Sequence, residues 1–313
     1  MPRYFLYYAG LDSPQGIEQI GVAVSDDLRV WTRPRATPII PLGSTGEGDA
    51  LQTSNPCVLL EEGVFRMWYQ GRGRDSKLNI CYAESSDGVV WKANSEPVLR
   101  ASKDNEGYRG GYQHPHVLFD RDSRRYRMWF TSQNGSSSTI SYAESMDGLV
   151  WDKIIEGIVR PEAEWEGALL YYPFVTRSLS GYELWYTARG NGKIWSVGRA
   201  TSHNGVLWIK DIENPILPKK TTSGIVRIIA RYVKKAAPRL LKNAYGSASP
   251  FLLSIDGTDH LFTHDSGAGY RLSISHYVRE KKENWVVVEH GVLESGKTDW
   301  DAYFQADPFI LKL

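Results

Sequence analysis

An aromatic repeat runs along this chain and constrains its fold more than any other feature of the sequence. Stretches of 11 residues end in a tryptophan at five places: Trp31, Trp91, Trp151, Trp208 and Trp285. A proline lies 35 or 36 residues upstream of the last four, at Pro56, Pro115, Pro173 and Pro250. Aromatic signatures recurring every 40–50 residues or so are typical of propellers and related arrays.

A fifth proline indicates that the array closes on itself. No tryptophan follows Pro308, but joining Leu313 to Met1 places Trp31 36 residues beyond it. A linear array has no reason to satisfy this spacing, whereas in a ring the two chain ends share one unit. We therefore expect the segment AYFQADPFIL to be the innermost strand of the unit that opens the chain, so that its hydrogen bonds leave no open edge.

Each repeat reads as four antiparallel strands. In the second repeat they are 55–60, 65–71, 77–86 and a fourth made of VVW and PVL, with Asp87-Gly88 as a tight turn before it. The sequence thus predicts an all-β fold. Residues 1–313 would form a single domain, a five-bladed β-propeller of four-stranded antiparallel blades, closed by pairing of the C-terminal inner strand with the N-terminal strands. Two β-sandwich domains are the alternative, but they do not explain the end-to-end spacing.

One segment, 219–243, lengthens the spacing between two repeats and is strongly basic. Three interpretations stay open: a solvated helix that caps one end of the ring, a cationic lid that meets an anionic substrate group, or a contact with membrane or nucleic acid.

Composition limits the partners. A net charge of +1 gives no general attraction to nucleic acid or to anionic membranes, so we expect neither as a partner. No apolar run reaches the roughly 18 residues of a membrane span, and MPRYFLYYAG already reads as a strand rather than a leader. The sequence therefore predicts a cytoplasmic protein, with Cys57 and Cys81 as reduced, buried thiols. It leaves the oligomeric state open.

Two sets of positions vary in chemistry while the repeat around them stays constant. The residues just before the five prolines are Asn55, His114, Tyr172, Ser249 and Asp307. The residues seven positions before the prolines are Asp49, Tyr108, Glu166, Asn243 and Asp301. Such diversity is expected where a site is built on a symmetric scaffold, because structure alone permits uniform residues there. Satisfying loop backbone groups is the alternative role for any one of them.

The blade plan and the segment ADPFI at 306–310 resemble the five-bladed propeller glycosidases: family 43 glycoside hydrolases with their invertase, levansucrase and family 130 phosphorylase relatives. The resemblance implies that Asp307 matches the general base. At the two other catalytic positions of family 43, this chain has His114 and Tyr171. Several family relatives hold a calcium-like ion in the channel. This sequence contains no loop rich in the oxygen ligands that such an ion requires, so no cofactor is expected.

Glycoside hydrolysis requires two carboxyl groups that flank the scissile bond. Asp307 is the candidate base or nucleophile, and Glu166 is the nearest candidate acid, because neighbouring aromatic residues could desolvate it and raise its pKa. Glu166 could instead be an ordinary loop carboxylate of the repeat, since Asp49 and Asp301 occupy the equivalent place. His114 and Asp49 are expected to support catalysis.

The remaining candidates are substrate-binding residues. Stacking on sugar rings and hydrogen bonding to hydroxyl or carboxylate groups are the roles expected of them. They are Asn55, Tyr112, Tyr171, Tyr172, Trp165, Arg72, Arg109, Ser249 and Asp301.

Three functions are consistent with these residues. The first is a carbohydrate-active enzyme, a glycoside hydrolase that acts on a small-molecule or oligosaccharide substrate in the axial funnel. The second is a non-hydrolytic enzyme that acts on a sugar derivative or small biosynthetic intermediate. The third is a glycan-binding propeller without turnover.

Overall fold

The computed structural model describes residues 2–11, 13, 16–44, 48–101, 110–190, 195–216, 247–255, 257–266, 272–280, 286–290, 292–293, 301 and 304–313. Three features predicted from the sequence lie outside these residues: the basic segment 219–243, the candidate site residue Arg109, and the positions Tyr108 and Asn243. Within the described part the chain forms strands and one short 3-10 helix, Glu164–Glu166, which confirms the all-β prediction.

The described residues form nineteen strands. They are β1 (Tyr4–Leu11), β2 (Gln19–Ser25), β3 (Gln52–Glu61), β4 (Val64–Arg72), β5 (Leu78–Ser85), β6 (Lys92–Ala93), β7 (Gly111–Asp120), β8 (Arg125–Asn134), β9 (Ser137–Ser145), β10 (Trp151–Val159), β11 (Leu170–Ser178), β12 (Gly181–Arg189), β13 (Trp195–Ser202), β14 (Ile209–Lys210), β15 (Ser247–Ile255), β16 (Thr258–Ser266), β17 (Leu272–Glu280), β18 (Val286–His290) and β19 (Phe304–Lys312).

Antiparallel pairing between consecutive strands organises these elements into sheets. Strands β11 to β14 form one four-stranded sheet and β15 to β18 another. Strands β3 to β6 and β7 to β10 belong to one larger sheet, joined by a single parallel contact between Leu78 and Gly111. The last strand, β19, pairs antiparallel with β1, with Tyr4 opposite Lys312 and Leu11 opposite Phe304. This is the pairing that the proline spacing predicts.

The sheets depart from the predicted uniform set of four strands. The sheet β19-β1-β2 has three strands, and its fourth position is an isolated bridge between Val24 and Thr32. Strands β6 and β14 are two residues long. In these repeats the predicted fourth strand pairs with the third strand in two short pieces. A loop separates the piece that follows the tryptophan from the apolar piece that comes after it. The backbone N–H of Ile216, for example, donates to the Val197 carbonyl at 2.7 Å.

A bulge marks the first strand of each repeat. These strands begin earlier than predicted: β3 starts at Gln52 rather than at residue 55. Register shifts fall between Ser54 and Cys57 in β3 and between Gln113 and His116 in β7, around the repeat proline. A proline has no N–H to give to a ladder, and a bulge removes that requirement. The residue before the proline therefore lies inside a strand rather than at its first position.

The first strands of the sheets pack against one another together with β19. Strand β3 contacts β19 and β7, β7 contacts β11, β11 contacts β15, and β15 contacts β19. Large aromatic side chains on the second strands fill the space between sheets, and Trp68, Trp129 and Trp185 are almost completely buried.

The turns of one repeat are hydrogen-bonded to the aromatic side chains of the preceding repeat. Trp68 Nε1 donates to the Gly148 carbonyl at 2.8 Å, and Trp129 Nε1 donates to the Gly205 carbonyl at 2.8 Å. The Tyr7 hydroxyl donates to the Gly88 carbonyl at 3.0 Å. Each of these glycines has a positive φ, between 74° and 78°. The tight turns predicted from Asp-Gly and Asn-Gly thus also connect neighbouring repeats.

Both cysteines are buried and neither forms a disulfide, as predicted from the sequence. Burial raises the pKa of the Cys57 thiol to about 12, and its sulfur accepts the Val117 N–H at 3.2 Å. Within the described ranges, no helix has the length and hydropathy needed to cross a membrane.

Candidate functional site

One pocket is lined by the residue that precedes each repeat proline. These residues are Asn55, His114, Tyr172, Ser249 and Asp307. Their φ angles are 52° or 53° in the first four and 54° in Asp307, the left-handed conformation that non-glycine residues rarely adopt. Because the same backbone distortion recurs in every repeat, it directs five different side chains toward one place. The structure therefore brings together the whole first set of sequence-predicted positions.

The residues that follow the prolines lie beneath this ring and are mostly aromatic. The ring centroids of Phe174 and Phe251 are 4.7 Å apart, and those of Phe251 and Phe309 are 5.0 Å apart. His116 packs against Phe174 at 4.7 Å, and its Nε2 lies 2.8 Å from the Val175 carbonyl oxygen. Burial lowers the pKa of His116 to about 4. His116 is thus a neutral packing residue that donates to a backbone carbonyl, and it forms part of the pocket floor.

His114 is held by contacts from two repeats. Its Nδ1 lies 3.1 Å from Thr131 Oγ1 on the neighbouring strand β8. Its ring lies 4.0 Å from the ring of Tyr172 and 5.4 Å from that of Tyr171, centroid to centroid. These contacts fix the plane of the imidazole.

Polar groups surround the rest of the ring. Asn55 Nδ2 donates to Ser54 Oγ at 2.9 Å and to Gln70 Oε1 at 3.2 Å, while its Oδ1 is buried without a hydrogen-bond partner in the described part of the chain. The backbone N–H of Ser249 donates to Thr187 Oγ1 at 3.1 Å. Asp307 is 6% exposed. A buried carboxylate and a buried amide oxygen facing one pocket are suited to polar ligand groups such as sugar hydroxyls.

Glu166 does not lie in this pocket. Its carboxylate is fully buried elsewhere, where Oε2 accepts the backbone N–H groups of Glu162 at 2.7 Å and Ala163 at 2.9 Å. Lys210 Nζ lies 2.8 Å from the same oxygen, and the Tyr186 hydroxyl donates to Oε1 at 2.7 Å. Burial alone raises the pKa of Glu166, but these hydrogen bonds and the ammonium group outweigh it, and the pKa lies below its usual value. An ionised, saturated carboxylate is unsuited to act as a general acid, so this environment argues against that interpretation.

The equivalent acidic residues of other repeats have the same environment. Asp49 Oδ2 accepts the Tyr69 hydroxyl at 2.8 Å, and Asp301 Oδ2 accepts the Tyr8 hydroxyl at 2.7 Å and pairs with Arg33. These contacts argue against the catalytic role predicted for Asp49 and the substrate-binding role predicted for Asp301. Both carboxylates anchor the tyrosine of the second strand, which is the alternative that the sequence left open.

The other predicted binding residues divide into two groups. Tyr171 is not among the residues that line the ring pocket, but its ring contacts that of His114, which is, and its hydroxyl donates to Gln133 Oε1 at 3.3 Å. Trp165 instead packs beside Tyr186 at a centroid distance of 6.0 Å, and Tyr112 donates to Glu156 Oε1 at 2.9 Å. Neither Trp165, Tyr112 nor Arg72 is among the residues that line the ring pocket.

Sequence reasoning missed the residues that support the ring. Gln70, Thr131 and Thr187 each hydrogen-bond to a pocket residue of the same or the adjacent repeat. The signal was present, because all three occupy one position of the second strand: the residue after Tyr69, Phe130 and Tyr186.

No metal site is apparent in the described ranges, where no group of three or more His, Cys, Asp and Glu side chains is arranged to hold an ion.

Comparison with known proteins places this geometry in a fold family. No family model matches the chain. It is 31% identical over 200 residues to the uncharacterized protein Rv1502 of Mycobacterium tuberculosis (strain ATCC 25618 / H37Rv), over 60% of this chain and 64% of that protein. The match thus spans less than two thirds of that relative's length.

Solved structures cover nearly the whole chain. A thermostable family-43 glycoside hydrolase superposes with a TM-score of 0.65 at 17% identity, over 95% of this chain and 92% of that one. A β-1,2-mannobiose phosphorylase from Listeria innocua gives a TM-score of 0.62 at 12% identity, over 85% and 67% of the two chains. A family 117 glycoside hydrolase from Zobellia galactanivorans gives 0.59 at 13% identity, over 80% and 72%. The resemblance to the propeller glycosidases is therefore confirmed at the level of the fold, and it is this fold that the chain shares with them.

Proposed function

We propose that the chain is one domain over residues 1–313, a five-bladed propeller closed by the pairing of β19 with β1. Two observations support this. The inner strands contact one another in the cyclic order β19, β3, β7, β11, β15 and again β19. The same positive φ recurs before five prolines, as five equivalent blades require.

We further propose a carbohydrate-active enzyme that cleaves a glycosidic bond in the ring pocket. The observation that carries this proposal is the convergence of five strained, chemically different residues on one pocket that contains the buried carboxylate of Asp307. Backbone strain of this kind costs about 1–3 kcal/mol per residue and is concentrated at functional sites. The fold neighbours include glycoside hydrolases and a phosphorylase that acts on a disaccharide, which supports a sugar as the substrate.

The pocket residues allow specific roles. Asp307 acts as the general base or nucleophile at the anomeric carbon. His114, held by Thr131 and by two tyrosine rings, orients the substrate and can deliver a proton to the leaving oxygen. Asn55, Tyr172 and Ser249 provide hydrogen bonds to hydroxyl groups. Glu166 has no part in this chemistry.

A second function is favoured by one observation. Asp307 shares its pocket with His114, and Glu166, the candidate partner carboxyl, is buried away from that pocket. An imidazole and a single carboxylate suit proton transfer on a sugar derivative or small biosynthetic intermediate without hydrolysis. A glycan-binding propeller without turnover is the third possibility.

Turnover of aryl glycosides separates these functions. We would assay a panel of p-nitrophenyl glycosides with the wild type, Asp307→Asn and Glu166→Gln. For a hydrolase we expect Asp307→Asn to lower kcat by about 10²–10⁴-fold, while Glu166→Gln retains its activity per folded molecule. Turnover that survives Asp307→Asn at the wild-type rate would remove Asp307 from the mechanism. If the wild type turns over no glycoside but binds a small sugar derivative in the pocket, the second function replaces the first.

A further inference from the structure

An arginine and two aromatic rings extend from the ring pocket along one sheet. Arg189 ends β12 and its Cζ lies 5.2 Å from the ring centroid of Trp195, its neighbour at the start of β13. The Trp195 ring lies 5.7 Å from that of Tyr171, which in turn lies 5.4 Å from His114. We call Tyr171, Trp195 and Arg189 the wall cluster. It forms a continuous path from a pocket residue to a guanidinium group.

Arg189 differs from the arginines that stabilise this fold. Arg66, Arg127, Arg177, Arg199 and Arg279 each form an ion pair with an aspartate or glutamate. Arg189 has no ion pair within the described residues, and its Nε is buried without a hydrogen-bond partner there. Among the described residues, the contact that its charge makes is with the π face of Trp195, which is a weaker interaction than a paired carboxylate. A half-buried guanidinium in this state is suited to accept an anionic partner.

The position of the wall cluster defines what it can contact. Arg189 is connected to His114 through the rings of Trp195 and Tyr171, and it is not among the residues that line the ring pocket. A neighbouring unit of the same oligosaccharide could stack on Tyr171 and Trp195. A carboxylate on that unit would meet the planar fork of Arg189, which matches carboxylate geometry through two parallel hydrogen bonds.

We infer that the wall cluster is a subsite for a uronic acid unit, so that the preferred substrate is an acidic oligosaccharide. This inference rests on the proposed function, because it assumes that a sugar occupies the ring pocket. It goes beyond that function by naming the charge of the substrate and the residues that select it. A purely structural Arg189 would instead affect stability without distinguishing acidic from neutral ligands.

Binding measurements with matched probes test the inference. We would use isothermal titration calorimetry at low salt in the Asp307→Asn background, which prevents turnover. The probes are trisaccharides of galacturonate, glucuronate, mannuronate and guluronate, each beside its fully methyl-esterified, neutral form. We expect at least one acid to bind more tightly than its ester. Arg189→Gln should weaken binding of that acid by about 10–100-fold, the loss expected for one charged hydrogen-bonded pair, and leave binding of the ester unchanged.

Two control variants complete the design. Arg121→Gln removes an exposed arginine in the turn between β7 and β8 and should change neither affinity. Trp195→Leu removes the stacking face and should weaken acid and ester alike. Circular dichroism melting curves establish that each variant is folded.

The inference is overturned if no acidic trisaccharide binds more tightly than its ester, or if Arg189→Gln weakens both by the same factor. Failure of the proposed function has a different signature. In that case the wild type turns over no acidic oligosaccharide and no aryl glycoside, whereas the difference between acid and ester, and its loss in Arg189→Gln, persist.

Discussion

At the scale of single residues, the position just before each repeat proline combines a constant backbone with a variable side chain. The five residues share a φ of 52–54° and differ in charge, size and hydrogen-bonding groups. A left-handed conformation costs a non-glycine residue roughly 1–2 kcal/mol, so its recurrence in every repeat requires a structural cause. That cause is the bulge around the proline, and the chemical difference between repeats is then available for function.

His116 makes stability depend on pH. Its pKa of about 4 in the folded protein lies below the ordinary value of 6.5, so the unfolded chain binds a proton first as the pH falls. Above pH 6.5 the imidazole is neutral in both the folded and the unfolded state, so it does not change the free energy of unfolding. As the pH falls from 6.5 to about 4, the unfolded state binds the proton and the free energy of unfolding decreases. We expect His116→Phe, which matches Phe174, Phe251 and Phe309 in other repeats, to reduce that loss.

Urea unfolding at pH 8 and pH 5 measures the effect. The wild type should lose more stability between these two values than His116→Phe does. An equal loss in both proteins would show that His116 does not contribute to the acid sensitivity.

Glu166 is predicted to be structural. Glu166→Gln removes the charge that pairs with the Lys210 ammonium and replaces one accepting oxygen, at the two backbone N–H groups or at the Tyr186 hydroxyl, with an amide NH2 group. Lys210 keeps a contact with Glu162 at 3.3 Å, and we expect the substitution to lower the free energy of unfolding by about 2–4 kcal/mol at pH 7. Because its pKa is lowered by folding, this contribution is present above the usual pKa of 4.5 and fades as the pH falls further. Denaturant unfolding at pH 7 and pH 4 checks both expectations. A stable but inactive Glu166→Gln protein would contradict them.

At the scale of elements, each of the turns before Trp91, Trp151 and Trp208 has two functions. Its aspartate or asparagine caps the local backbone: Asp147 Oδ1 accepts the N–H groups of Leu149 and Val150, each at 2.8 Å. Its glycine allows the aromatic ring of the neighbouring repeat to approach, since a Cβ on Gly148 would lie 2.7 Å from Trp68 Cζ2. A turn motif thus becomes an interface between sheets.

Two glycines with similar backbones separate these tasks. Gly148 and Gly63 have φ of 76° and 80°, but a Cβ on Gly63 would meet nothing within 4 Å. We expect Gly63→Ala to cost about 1–2 kcal/mol from backbone strain alone, and Gly148→Ala to cost at least about 1–3 kcal/mol more through overpacking against Trp68. Thermal or denaturant unfolding of the two variants gives the difference. Equal costs would show that the turn does not contribute to the packing between repeats.

At the scale of the whole molecule, the pairing of β19 with β1 joins the two ends of the chain. Tyr4 lies opposite Lys312 in this register. Residues directly opposite in an antiparallel pair are separated by distances that a disulfide can bridge.

A designed disulfide tests this closure. We expect the double substitution Tyr4→Cys and Lys312→Cys to oxidise without loss of fold, because Cys57 and Cys81 are buried and do not compete. The oxidised form should be more stable than the same protein in its reduced form by about 2–4 kcal/mol. The pair Tyr4→Cys and Ile310→Cys is the control, since its residues are out of register. Equal cross-linking of both pairs would contradict the register.

Much of the architecture was readable in advance from particular residues. The runs around Trp68, Trp129 and Trp185 predicted the second strands, because alternation of large apolar and polar residues has the period of a strand. The spacing of Pro308 from the chain ends predicted the partner of the last strand. The start of β3 at Gln52 was not predicted, because a bulge inside a strand has no distinct sequence signal beyond its proline.

The candidate site was readable only in part. The five pre-proline positions were predicted together, since a repeat places equivalent residues around one centre. The contacts of Glu166 argue against its predicted role as an acid. The sequence contains a related pattern: Asp49, Glu166 and Asp301 occur in the repeats whose second strand has a tyrosine at the matching position, Tyr69, Tyr186 and Tyr8. Such a pairing becomes interpretable only when the hydroxyl-to-carboxylate distances are known.

The sequence by itself determined the period of the repeats, the positions of the turns in the described repeats and the set of residues that line one pocket, because these follow from local periodicity. Only the tertiary structure decided which carboxylates were already saturated by hydrogen bonds and which arginine had no ionic partner within the described residues. Those properties depend on groups that are distant in the chain, as Lys210 is from Glu166 and Trp68 from Gly148. Periodicity along a chain specifies equivalence between positions, whereas the electrostatic state of one position is set by its neighbours in space.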